Sequence, residues 1–63
     1  MDRKTLIARL RQLQAVDMNA FDVYSDLSRL AENEAQRSLF SDIAKDEKRH
    51  VALDKEILSL LEK

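Results

Sequence analysis

The sequence predicts an all-α protein: an antiparallel two-helix hairpin, with residues 1–63 as one unit, that dimerises into a four-helix bundle. Three observations carry this expectation. The chain has no Gly and no Pro and is dominated by Leu, Ala, Glu, Lys, Arg, Asp and Gln, so the usual helix breakers are missing. Its apolar residues recur at heptad spacing in two stripes that share no common phase. Finally, 63 residues, 44% of them hydrophobic, supply two stripes but no closed core. A chain this short needs disulfides, a metal or a partner chain.

The first stripe runs through Leu6, Leu10, Leu13, Asp17, Ala20, Tyr24, Leu27 and Ala31. Ile7, Val16, Phe21, Val23 and Leu30 widen it to the broad face of a bundle helix. It predicts a helix over about residues 3–31. The second stripe runs through Gln36, Phe40, Ile43, Glu47, His50, Asp54, Ile57 and Leu61, flanked by Leu39, Ala44, Val51, Leu53, Leu58 and Leu60. It predicts a helix over about 34–62.

One continuous helix would also need neither Gly nor Pro, but the register argues against it. Extended past Ala31, the first stripe lands on Glu34, Ser38, Ser41, Lys45, Lys48, Ala52, Lys55, Ser59 and Glu62, almost all polar. The chain must therefore break near 32–34. Asn33 is the expected breakpoint, since Asn tolerates a left-handed conformation and caps helices. With Gln36 it forms a capping-box pattern.

A tight turn at 33 places residues whose numbers sum to about 67 side by side. Leu6 then meets Leu61, Leu10 meets Ile57, Leu27 meets Phe40 and Tyr24 meets Ile43. Asp17 falls level with His50, and Ala20 with Glu47. The polar interruptions of both stripes thus share one height near mid-hairpin. Polar groups on a buried face are costly unless they are paired or bind something.

Composition excludes much else. Zero Cys excludes a disulfide scaffold, a zinc finger, a Cys-ligated iron–sulfur centre and a thiol nucleophile. Zero Gly excludes P-loop and Rossmann fingerprints. With 11 basic and 12 acidic residues, no charge surplus points to a nucleic acid, and the basic residues Arg3, Lys4, Arg9 and Arg11 are offset elsewhere. No apolar run approaches a membrane span, and the charged start leads into no signal-peptide core. A cytoplasmic, reducing compartment is the expected location.

Glu47 and His50 are three residues apart, so they share a helix face and can grip one transition metal. Taken alone, the pattern is weak. With five Glu in 63 residues, a random His has Glu three positions back about 8% of the time. Asp17 adds a carboxylate from the facing helix. One chain supplies two carboxylates and a His, too few for two metals. Two chains supply four carboxylates and two His, the donor set of a carboxylate-bridged di-iron centre. Four carboxylates also balance two ferrous ions. The metal set and the missing core ask for the same assembly, a twofold dimer of hairpins.

On these residues the chain resembles the ferritin-like superfamily, and most closely the half-ferritins related to encapsulated ferritin. The resemblance covers about residues 5–62. It is carried by Asp46-Glu47-Lys48-Arg49-His50, similar to the (D/E)-E-x-R-H box of rubrerythrins and ferritin-like proteins. Tyr24, seven residues after Asp17, and the 30-residue gap from Asp17 to Glu47 add to it. The resemblance implies a bridging Glu47, a terminal His50, a helix-1 carboxylate at Asp17 and a nearby tyrosine at Tyr24. It implies iron, two ions per dimer, or another divalent metal, and ferroxidase activity, the oxidation of ferrous iron by dioxygen or peroxide.

Three departures qualify it. The family usually has Glu where this chain has the shorter Asp17. Val16 and Asn19 stand where encapsulated ferritins carry further acidic residues. The sequence ends at Lys63 without a third helix or a docking tail, so neither encapsulin docking nor large ring assembly is expected. The expected partner is a second copy, as homodimer or higher homo-oligomer, and neither nucleic acid nor membrane.

Each feature also has a plainer reading. Asp17 serves equally as a polar residue that fixes helix register. Tyr24 is either a core aromatic or a hydrogen-bond donor to a ligand carboxylate. Asp54, opposite Leu13, reads as a solvated rim charge in preference to a metal-entry role, and Met18 as core filler. Asp22, Asp26, Asp42 and Glu56 read as a solvated outer face. The rival function is a metal-free or zinc-bound hairpin module for dimerisation or partner docking, without catalysis.

Overall fold

The computed structural model describes residues 2–62, which form two helices: α1, Arg3–Leu30, and α2, Glu34–Leu61. Both ends of each helix fall within one residue of the sequence expectation. Asp2 caps α1, its Oδ1 accepting from the Thr5 amide at 2.7 Å. That amide bond holds the Asp2 carboxyl below the usual carboxylate range. Asn33 caps α2, its Oδ1 accepting from the Gln36 amide at 2.9 Å. The reciprocal bond of the box reaches one residue further back, because Gln36 Oε1 accepts from the Glu32 amide at 3.0 Å.

Asn33 is extended, at φ −151° and ψ 170°, and no described residue has positive φ. Of the two properties that recommended Asn at the break, only its capping oxygen is used. Extended backbone at Ala31 and Asn33 reverses the chain without a left-handed residue, which is how the turn dispenses with glycine. Asn33→Ala is therefore expected to cost about 1 kcal/mol and to lower the melting temperature by several degrees, with Asn33→Ser close to wild type. Equal melting of the Ala and Ser variants would show that the cap contributes nothing.

The helices meet along one narrow seam. In α1 it follows Ile7, Leu10, Gln14, Asp17, Phe21, Tyr24 and Ser28, with Ala31 just past the helix end, and in α2 Phe40, Ala44, Glu47, Val51, Asp54, Leu58 and Leu61, all at least half-buried. Ala44 and Leu58 are the buried apolar residues among those described. Tyr24 and Phe40 stack as tilted rings with centroids 6.4 Å apart. Leu6 and Ile57, expected to face Leu61 and Leu10, stay 39% and 42% exposed. Two helices can share only one seam, so the remainder of each broad apolar stripe is left open.

The molecule is a rod. Its radius of gyration is 14.5 Å, against about 10.6 Å for a compact domain of this length. Exposed ion pairs decorate it: Arg11 with Glu62 across the open end, and Arg29–Asp26, Arg37–Glu34 and Arg49–Asp46 within helices. Such pairs add little stability. Asp22, Asp26, Asp42 and Glu56 lie on the exposed outer surface as expected. Among the described residues, no helix is long and apolar enough to cross a membrane.

The open part of the stripes lies on one side. Among the described residues, ten large apolar side chains remain exposed. Met18, expected as core filler, lines a cleft with Asp22, Lys48, Ala52 and Lys55, which marks one flank of the seam. At 100° per residue the other nine fall on the opposite flank: Leu6, Leu13, Val16, Val23 and Leu30 from α1, and Leu39, Leu53, Ile57 and Leu60 from α2. This continuous apolar face runs the length of a rod 47 Å long and 14 Å wide. Contiguous apolar surface on that scale marks an interaction site.

Candidate metal centre

Asp17 sits near the middle of α1, and Glu47 and His50 near the middle of α2. The antiparallel register brings them together. One carboxylate oxygen of Asp17, one of Glu47 and one ring nitrogen of His50 all lie within 4.8 Å of one another. His50 Nδ1 is 3.6 Å from Glu47 Oε1, the neighbour contact that i,i+3 spacing dictates. Donors about 2.1 Å from a shared ion are separated by roughly 3 to 4.3 Å. The three groups therefore stand within small side-chain adjustments of a common coordination sphere. Carboxylate oxygens with one imidazole suit a hard or borderline divalent ion.

The site is covered unequally. Asp17 and Glu47 lie on the seam and are half-buried, whereas the His50 side chain is 45% exposed. Helical geometry turns His50 toward the flank that carries the open apolar face, between Ile43 and Leu53 and away from Lys48 and Lys55. The cluster thus has a closed side, formed by the seam, and an open side that looks out through the apolar surface.

Asp54 corrects the sequence expectation. It is no solvated rim charge: at 5% exposure it is among the most buried residues of the hairpin. Its carboxyl lies beside that of Asp17, and its Oδ2 is buried with no hydrogen-bond partner. Burial pushes the Asp54 carboxyl above the usual carboxylate range. The bond to Asp17 and that residue's negative charge push further, Glu47 adds to this, and His50 opposes it. A proton kept by Asp54 is shared with Asp17, and once both carboxyls are ionised neither has a donor.

A sequence signal for Asp54 did exist. Each helix has one line of positions common to both readings of its stripe: 10, 17, 24 and 31 in α1, and 40, 47, 54 and 61 in α2. Those shared positions must lie at the centre of the contact whichever way the helix is rotated. Asp54 is one of them, as are Asp17 and Glu47. Its pairing with Leu13 was the misleading step, because Leu13 turns onto the open face, 47% exposed.

The Tyr24 ring lies against Phe40, and among the described residues no hydrogen bond joins its hydroxyl to Asp17, Glu47 or His50.

No protein-family model, curated protein or solved structure matches this chain.

Proposed function

We propose that the chain is half of a non-haem di-iron protein of ferritin-like type. Two hairpins would pair through their apolar faces into a four-helix bundle and hold two iron ions between them. One observation carries the reading: the Asp17–Glu47–His50 cluster opens toward the same face that is apolar and uncovered. A second copy on that face would bury the apolar stripe and bring a second set of ligands to the site. The bare dimensions of the face, roughly 650 Å² in projection before side chains are counted, approach the ~800 Å² per partner of a standard interface. The resemblance of Asp46–His50, Asp17 and Tyr24 to the half-ferritin pattern supports the same assignment.

In this reading Glu47 would serve both ions, while Asp17 and His50 would each hold one. Iron bound there would supply electrons to dioxygen or peroxide, one from each ferrous ion. The chain's own part is positional. Seam packing fixes the two carboxylates, the helix fixes the Glu47–His50 spacing, and the apolar surround excludes bulk water. Ferroxidase activity is the natural outcome. Mineral storage is not, since a four-helix dimer encloses no chamber.

Anaerobic purification followed by metal analysis tests the proposal. About two irons per dimer, with an absorbance change on exposure to air, is the expected result. An intact dimer that takes up no iron would reject it in favour of the rival reading, a metal-free or zinc-bound interaction module. That rival has the apolar face in its favour but assigns no task to the clustered ligands.

A further inference from the structure

We propose that Asp54 is a fourth metal-ligating residue of each chain, joining Asp17, Glu47 and His50. The inference rests on the di-iron reading and extends its ligand set beyond the residues that the resemblance supplies.

The starting point is the Asp54 Oδ2 atom, buried and without a hydrogen-bond partner. A buried acceptor left unsatisfied costs about 1–3 kcal/mol, more when charged, so such atoms call for an explanation. Packing does not provide one. Asp54 follows Val51 and precedes Leu58 on the seam line, where a leucine would fill the same space without a polar penalty. A register-fixing role does not provide one either, because a polar residue specifies register through a partner across the interface. The residue across from Asp54 is Asp17, another carboxyl, and only a proton or a cation between the two satisfies both.

A cation satisfies both carboxylates at once. Asp54 lies one helical turn beyond His50 and two beyond Glu47, on the seam face and beside the Asp17 carboxyl, just outside the group in which Asp17, Glu47 and His50 lie within 4.8 Å of one another. With Glu47 of both chains shared between the ions, each ion has four protein groups, and Asp54 would add a fifth. Three carboxylates to one imidazole make the donor set harder, favouring iron and manganese over zinc and copper.

The test uses the full chain with Mn²⁺ and Co²⁺ as probes that bind without turnover, comparing wild type with Asp54→Asn, Asp54→Leu and His50→Ala. Far-UV circular dichroism confirms helix content in each; Asp54→Leu, which fills the seam with an apolar side chain, guards against a fold lost in Asp54→Asn. Both Asp54 variants are expected to bind Mn²⁺ at least tenfold more weakly than wild type. They are also expected to change the visible Co²⁺ spectrum, which reports the number and type of ligands. Wild-type Mn²⁺ affinity and an unchanged Co²⁺ spectrum in a folded Asp54 variant would overturn the assignment of Asp54. If His50→Ala still lost the metal in that case, the di-iron reading would stand without Asp54. A wild-type chain that binds neither Mn²⁺, Co²⁺ nor Fe²⁺ would overturn both.

Discussion

His50→Ala is expected to lose stoichiometric iron while keeping its helices. The two halves of this result have separate causes. His50 is 45% exposed and off the seam, so its removal opens no cavity, and Ala is the better helix former. Helix content and the melting temperature of the metal-free protein should change little. Metal affinity should fall by more than the ten- to hundredfold typical of losing a group that merely orients a ligand, because His50 supplies the only imidazole in the chain. Metal analysis after anaerobic reconstitution, beside far-UV circular dichroism, checks both halves. Unchanged iron content in the variant would remove His50 from the site and reduce its contact with Glu47 to a surface ion pair.

The sequence carried the helices and the position of the break. Periodicity set the phase of each stripe, and the clash of phases located Asn33. It also carried the height at which Asp17, Glu47 and His50 meet, because an antiparallel register follows from the turn alone. It could not carry the rotation of each helix about its own axis. Both stripes are wider than one seam, so two lines, through Leu6, Leu13 and Ala20 or through Ile7, Gln14 and Phe21, fit the pattern equally well. The hairpin takes the second. This choice turns Leu6 and Leu13 outward, and Ile57 follows on the facing helix. It also centres Asp54, whose burial could not be read while Leu13 was taken as its neighbour. The broad stripe is better understood as two seams side by side, one closed within the hairpin and one still open. A two-seam helix is what a four-helix bundle requires, and on the proposed reading the width that blurred the rotation belongs to that further interface.

Metal binding and dimerisation are expected to be linked, and the linkage should weaken with acid. On the proposed reading each hairpin holds half the ligands and exposes its second seam, so the complete site would exist only in the assembled state. A ligand that binds only that state stabilises it by mass action, about 2.7 kcal/mol at a hundredfold excess over its dissociation constant. Ferrous ion under anaerobic conditions should therefore raise the melting temperature and shift monomer toward dimer, and chelation should reverse both. Leu13→Lys, on the open face and away from the ligands, should weaken the dimer and blunt the metal effect together while the hairpin persists. The pH dependence separates two contributions of opposite sign. The Asp54 carboxyl titrates above its unfolded value in the metal-free protein, so the native state binds more protons than the unfolded chain across that window. Its contribution to metal-free stability is fully present at acid pH and is lost as pH rises through the raised value. The metal-dependent gain runs the other way, because protons compete for the carboxylates and for His50. The melting curves with and without metal should accordingly stand furthest apart near neutrality and converge as pH falls. Sedimentation and thermal melting at several protein concentrations and pH values measure this. A melting point and an assembly state indifferent to ferrous ion across the whole range would reject a shared site and leave the apolar face to some other purpose.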